Sequence, residues 1–231
     1  MRPPYRGHVA TGIFGKALLL ADAGLRALVD PRQARMVGVV GEVTGERALR
    51  RMHSRMRAHP VGRSILADRP ALTAEGLVPM LAGLPTNTLG GAYSAFLEKH
   101  AFDPDERSPV MFVDDAELAY VMARYRQVHD LWHVLYGLPP SLLGEVALKW
   151  LEAAQTGLPM CALAAAGGGL RLKAAEQRAV TRHVLPWAAQ HARSGVDLMS
   201  VYYEHEFARP LDELRRELGI VKPPRALFER R

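Results

Sequence analysis

The sequence predicts an all-α protein, a single-domain helical bundle over residues 1–231 built on a central antiparallel helix pair. Three observations predict it. Apolar residues recur at three- and four-residue spacing along most of the chain, and the every-second-residue alternation of strands is almost absent. Gly and Pro punctuate the periodic runs at their ends. No internal repeat or low-complexity linker divides the chain.

Phe14–Val29 places Leu18, Ala21, Leu25 and Leu28 on one stripe with Lys16, Asp22 and Arg26 elsewhere, an amphipathic helix that Asp30-Pro31 should stop. A second helix is expected over Ala34–Val40, broken at Gly41, and a third from near Gly45 to just before Pro60. Leu89–Ala101 reads as a further helix, and Asp103–Pro109 as a loop. Asp114 and Asp115 precede the long periodic run Ala116–Tyr136, where the helix dipole favours carboxylates. Gly137-Leu138-Pro139-Pro140 ends that run, and Ser141 caps the next, Leu142–Thr156. So short a connection folds the two helices back on each other as an antiparallel pair. Later helices are expected at Lys173–Ala192, Leu198–Phe207 and Leu211–Leu218, the last stopped by Gly219.

Composition narrows the function classes. At 231 residues, 48% hydrophobic and 23% charged, the chain has the profile of a globular protein that needs no covalent staple. A single cysteine, Cys161, excludes an internal disulfide and any cysteine-built zinc or iron–sulfur site. It reads as a small buried hydrophobe. Thirty basic against 24 acidic residues give a net charge of +6, which attracts anionic surfaces. The densest basic run, Arg47, Arg50, Arg51, Arg55 and Arg57, reads first as a solvated helix face, then as a contact for anionic lipid or a protein. No nucleic-acid-binding motif accompanies the charge, so no nucleic-acid partner is expected. The first 21 residues carry basic residues and no acid, as a transit peptide does, but no serine precedes Ser54, and no presequence is expected in this chain. The longest uncharged run, Ala153–Leu170, is too rich in Ala and Gly for a membrane span and should be buried against protein.

One constellation carries chemistry. His129 and His133 lie four residues apart on the long helix, hence on one face, where two imidazoles can converge on a metal. Counting from the turn, Glu145 of the next helix falls opposite His133, so its carboxylate can complete the site. Asp130 points about 100° round the helix from His129. It either bends back as a ligand or orients a histidine from behind. Two imidazoles with one or two carboxylates suit Zn²⁺ or Fe²⁺. The competing reading is a set of buried polar residues satisfied without a metal. The other histidines lack a ligand-like spacing to one another and read as structural or surface residues.

HDLWHVLYGLPPSLLGE, His129–Glu145, resembles the His-Asp-x-x-His-x₁₁-Glu motif of the ubiquinone (coenzyme Q) biosynthesis protein 4 family. The likeness continues through FVDDAELAYVMARYRQVHD upstream and KWLEAAQTGLPMC downstream, with weaker stretches over nearly the whole chain. The resemblance implies an all-helical fold, a Zn²⁺ site at His129, Asp130, His133 and Glu145, and a hydrophobic pocket for a polyprenyl tail. It implies peripheral attachment to the matrix face of the mitochondrial inner membrane, among other ubiquinone-biosynthesis proteins. The implied activity is loss of the C1 carboxylate from a polyprenylated 4-hydroxy-3-methoxybenzoate, simple or coupled to C1 hydroxylation. Two alternatives stay open, a lipid-binding scaffold whose metal only joins helices and, more weakly, a metal phosphohydrolase. A homodimer also stays open.

Overall fold

The computed structural model describes residues 3–29, 34–193 and 196–228. In chain order the helices are α1 (Ile13–Val29), α2 (Ala34–Thr44), α3 (Glu46–Ala58), α4 (Pro60–Asp68), α5 (Ala74–Leu81) and α6 (Leu89–His100). After a short 3₁₀ turn come α7 (Ala116–Tyr136), α8 (Leu142–Thr156), α9 (Pro159–Leu170), α10 (Ala174–Ala179), α11 (Leu185–Arg193), α12 (Tyr203–Glu206) and α13 (Leu211–Glu217). Among the described residues there is no strand, only an isolated bridge between Thr88 and Pro210. The fold is helical, as the periodicity predicts.

α7 is the axis of the molecule. Thirteen of its residues are buried on all sides of the helix, from Leu118 to Tyr136. Its start is fixed by Asp115, whose carboxylate accepts from the N–H groups of Glu117 and Leu118. Its end is fixed by Gly137, at φ 65°, a left-handed conformation that glycine adopts without strain. Trp132 is fully buried, and its indole N–H donates to the Tyr203 hydroxyl at 2.9 Å, which donates in turn to the Leu198 carbonyl. The buried Arg124 guanidinium makes a two-pronged pair with Glu204 at 2.5 and 2.8 Å, tying α7 to α12.

The structure corrects several local expectations. α2 does not break at Gly41. That glycine admits the neighbouring helices instead, since a Cβ there would stand 2.0 Å from Met160 Sδ and 2.9 Å from Met122 Cε. Pro60 opens α4 at its first turn, where its missing N–H costs nothing, so it starts a helix as well as ending one. The segment 173–192 contains a π-helical turn at Val180–Val184, just before Pro186, which has no N–H to bond the preceding turn. Residues 198–207 form a 3₁₀ turn and a single α turn, because Asp197 caps the first and the chain is extended at Val201. Ala153–Leu170, expected to be buried, is the end of α8 and the whole of α9 and is covered on one side only: Gly168 lies against Val146 of α8, while Leu163 and Leu170 are exposed. Asp30-Pro31, expected to stop α1, lies outside the described residues. So do the side chains of Leu25 and Leu28, while Leu18 and Ala21 face outward.

Candidate metal centre

The α7–α8 turn carries the site. Leu138 and Pro139-Pro140 follow Gly137, and the Ser141 hydroxyl accepts from Gly144 N–H to cap α8. Gly144 sits so close to the turn that a Cβ would lie 1.9 Å from the Pro139 carbonyl. This tight reversal brings Glu145, in the first turn of α8, against His133, in the last turn of α7. Beyond it, contacts between the helices run in opposite senses: His133 and His129 meet Glu145, His129 meets Lys149 and Glu152, and Tyr125 meets Glu152.

His129, His133 and Glu145 each present a ligand atom, and these atoms lie within 4.8 Å of one another. His133 Nε2 is 3.0 Å from Glu145 Oε1, and His129 Nε2 is 3.7 Å from Glu145 Oε2. Both separations bracket the roughly 3.4 Å edge of a tetrahedron of ligands at the usual zinc distances. His133 Nδ1 lies 3.1 Å from the Leu138 carbonyl, an acceptor, so this nitrogen carries the hydrogen. Nε2 of the neutral ring then holds a lone pair that is buried and without a hydrogen bond. It faces a carboxylate oxygen. Two acceptors at that distance repel unless a cation or a proton lies between them, and a divalent metal meets the need. The donor set therefore fits a metal ion.

The same groups act on one another's charge. Burial raises the pKa of Glu145, but the two imidazoles and the Lys149 ammonium beside it outweigh burial and hold the group at about 2. Its side chain is 37% exposed, so the site opens towards solvent on this side. At His129, burial and the Lys149 charge lower the pKa, and the Glu152 and Glu145 carboxylates more than offset them. Phe96 stacks on the His133 ring at 5.6 Å, with His100 and Phe102 against Phe96, an aromatic border to the site.

Of the four residues the sequence nominates, the structure brings three together. Asp130 stands apart: its Oδ2 accepts from Arg107 Nη2 at 2.7 Å, and Arg107 also donates to Tyr93 and to the carbonyls of Leu72 and Pro104. Three residues escaped the sequence reading. Glu152, fully buried, accepts from Tyr125, Lys149 and His129. The signal was present, since Tyr125, His129 and His133 are spaced by four, and Glu145, Lys149 and Glu152 by four and three, one face of each helix. Cys161 is buried as expected, yet its Sγ lies 3.2 Å from the Tyr125 hydroxyl, and burial foremost pushes its thiol up to about 12.

Fold and site together define a class, an all-helical protein with a candidate His-His-Glu metal centre at a tight helix turn. The model of the coenzyme Q (ubiquinone) biosynthesis protein Coq4 family matches residues 5–224. The ubiquinone biosynthesis protein COQ4 homologue, mitochondrial, of Danio rerio is 46% identical over 97% of this chain and 83% of its own length. The proteins of the same name from Bos taurus and Homo sapiens are 43% and 44% identical, over 95% and 96% of this chain and 83% and 84% of theirs. A crystal structure of a putative ubiquinone biosynthesis protein from Nostoc punctiforme superposes with a TM-score of 0.67 over 91% of this chain and 99% of that one. At 19% identity it supports the fold alone. The chain belongs to the Coq4 family of ubiquinone-biosynthesis proteins.

Proposed function

We propose that this protein is a Zn²⁺-dependent carboxy-lyase that removes the C1 carboxylate of a polyprenylated 4-hydroxy-3-methoxybenzoate during ubiquinone biosynthesis. The observation that carries the reading is the buried, unbonded Nε2 of His133 aimed at the Glu145 carboxylate. His129, His133 and Glu145 would hold the metal, while Asp130, nominated with them by the sequence, is engaged by Arg107 instead. When bound, the ion supplies positive charge to anchor the substrate carboxylate or polarise a ring oxygen. The para oxygen of such a ring pushes electron density to C1. A proton added there lets the C1–carboxylate bond break, its electrons restoring the aromatic ring as CO₂ departs. Glu145, the ligand carboxylate open to solvent, is placed to relay that proton.

The apolar tail needs its own place. A cavity of about 440 Å³ between α1, α2 and the loop before α7 is lined on one side by Leu19, Met36, Val39, Met111 and Phe112 and on the other by the charged Asp22, Glu42, Asp105, Glu106, Arg107 and Arg126. Its apolar side suits part of a prenyl tail, and Arg107 links the cavity to Asp130. Fixing the tail would hold the head at the metal, so short-tailed acids should react poorly. We place the protein on the matrix face of the mitochondrial inner membrane, with the other ubiquinone-biosynthesis proteins. The outward Phe14 and Leu18 of α1 and the basic face of α3 support surface attachment, and among the described residues no helix is long and apolar enough to cross a membrane.

The test gives purified protein the prenylated acid and identifies the product by mass spectrometry. Hydrogen at C1 means simple decarboxylation, and oxygen at C1, formed only with O₂ present, means the oxidative route. Equal turnover by metal-free protein or by folded Glu145→Gln would contradict a catalytic metal. No turnover by metal-loaded native protein would favour a lipid-binding scaffold.

A further inference from the structure

We propose that Glu152 is the positioning residue of the metal centre, fixing the His129 ring so that Nδ1 carries the hydrogen and Nε2 faces the metal; this rests on the reading of His129, His133 and Glu145 as ligands. Glu152 lies seven residues after Glu145 on α8 and is fully buried. Its Oε1 is 2.5 Å from His129 Nδ1. Its Oε2 accepts from the Tyr125 hydroxyl at 2.5 Å and from Lys149 Nζ at 2.7 Å. An ionised carboxylate only accepts, so the hydrogen of the His129 contact belongs to Nδ1. In the neutral ring that a metal would bind, the lone pair is then on Nε2, the atom that lies 3.7 Å from Glu145.

The surroundings make this arrangement rigid. Tyr125 sits one turn before His129 on α7, and its hydroxyl also touches Cys161 of α9, so three helices converge on the carboxylate. Lys149 balances the charge of Glu152, which leaves Glu145 as the anion that meets the metal. Asp130, the residue whose sequence position suggested an orienting role, is held by Arg107 instead. His133 has its own orienting acceptor, the Leu138 carbonyl. Each histidine is thus set by a different partner, one side chain and one main chain, and a ligand imidazole so oriented binds metal better than a free one.

The experiment compares the native protein with Glu152→Gln and Glu152→Asp by competition for Zn²⁺ against a chromophoric chelator. The electronic spectrum of each Co²⁺-loaded form is recorded alongside, with circular dichroism to verify folding. Glu152→Gln turns an amide NH₂ towards the Tyr125 and Lys149 donors and should bind Zn²⁺ about 10- to 100-fold more weakly, with shifted Co²⁺ bands. Glu152→Asp, which keeps the charge, should recover part of both. Should Glu152→Gln not fold, ¹⁵N resonances of His129 in the metal-free native protein decide the matter, and an Nδ1 without a hydrogen there overturns the proposal. Folded Glu152→Gln with native affinity and an unchanged Co²⁺ spectrum overturns it as well, with the metal centre intact. Failure of the native protein to bind any metal instead sinks the ligand reading, and the positioning role with it.

Discussion

Glu152, to which the sequence assigns no part, makes the contact to His129 that the position of Asp130 suggests. Asp130 is adjacent to His129 in the chain, yet a helix turns adjacent residues about 100° apart, and Arg107 takes its carboxylate. Glu152, 23 residues away from His129, contacts it directly. Asp130→Asn should therefore keep its metal while losing roughly 1.5–3 kcal/mol of stability, the usual range for a hydrogen bond to a charged group. A thermal melt and elemental analysis on the same sample check both halves, and loss of the metal would restore Asp130 to the ligand set. His129, His133 and Glu145 could be nominated from spacing because ligands on one helix face and its opposing turn obey local geometry. Glu152, Lys149 and Tyr125 could not be assigned roles that way. Their meaning depends on how far apart α7 and α8 sit and which rotamers fill the gap, and neither is written in a four-residue period.

At the scale of the element, the tight turn between α7 and α8 sets the site, and two glycines report on how. A methyl group at Gly144 would collide with the Pro139 carbonyl, part of the backbone, whereas one at Gly41 would meet Sδ and Cγ of the Met160 side chain and the tip of Met122. Flexible methionine side chains can change rotamer and a backbone carbonyl cannot. Gly41→Ala should cost about 1 kcal/mol, and Gly144→Ala at least the upper end of the roughly 1–3 kcal/mol range for overpacking, by denaturant unfolding. Gly144→Ala should also weaken metal binding by displacing Glu145. Equal costs would contradict a backbone-locked turn. α7 and α8 were legible to the residue because both ends of each carry caps: Asp115 and Gly137, Ser141 and Gly157. α4 and α5 were not, since their runs of nine and eight residues are too short for a period to stand out, and α5 contains Pro79. The single α turn at Tyr203–Glu206 exists because Trp132 and Arg124 hold Tyr203 and Glu204 from α7, a tertiary cause with no local signature.

Across the whole molecule, the core is one cluster threaded by α7, and the all-helical class followed directly from the apolar period. Which helix faces remain outside did not. The α1 stripe fits its own core and a membrane surface equally well in the sequence, and the structure leaves Phe14 88% and Leu18 73% exposed. Phe14→Ser with Leu18→Ser should thus reduce flotation with anionic vesicles more than tenfold, given about 1.5–3 kcal/mol for each buried apolar side chain. Raised salt should weaken native binding. Unchanged flotation of the double variant, or binding indifferent to salt, would assign attachment to another face. In the function proposed above, one metal ion joins α7 to α8 through His129, His133 and Glu145. The measurement that tests this most directly is the metal content of gently purified native protein and of folded His133→Ala and Glu145→Ala variants, by elemental analysis. The account predicts about one tightly held equivalent per native chain and most of it lost from each variant. Full retention by Glu145→Ala would contradict it.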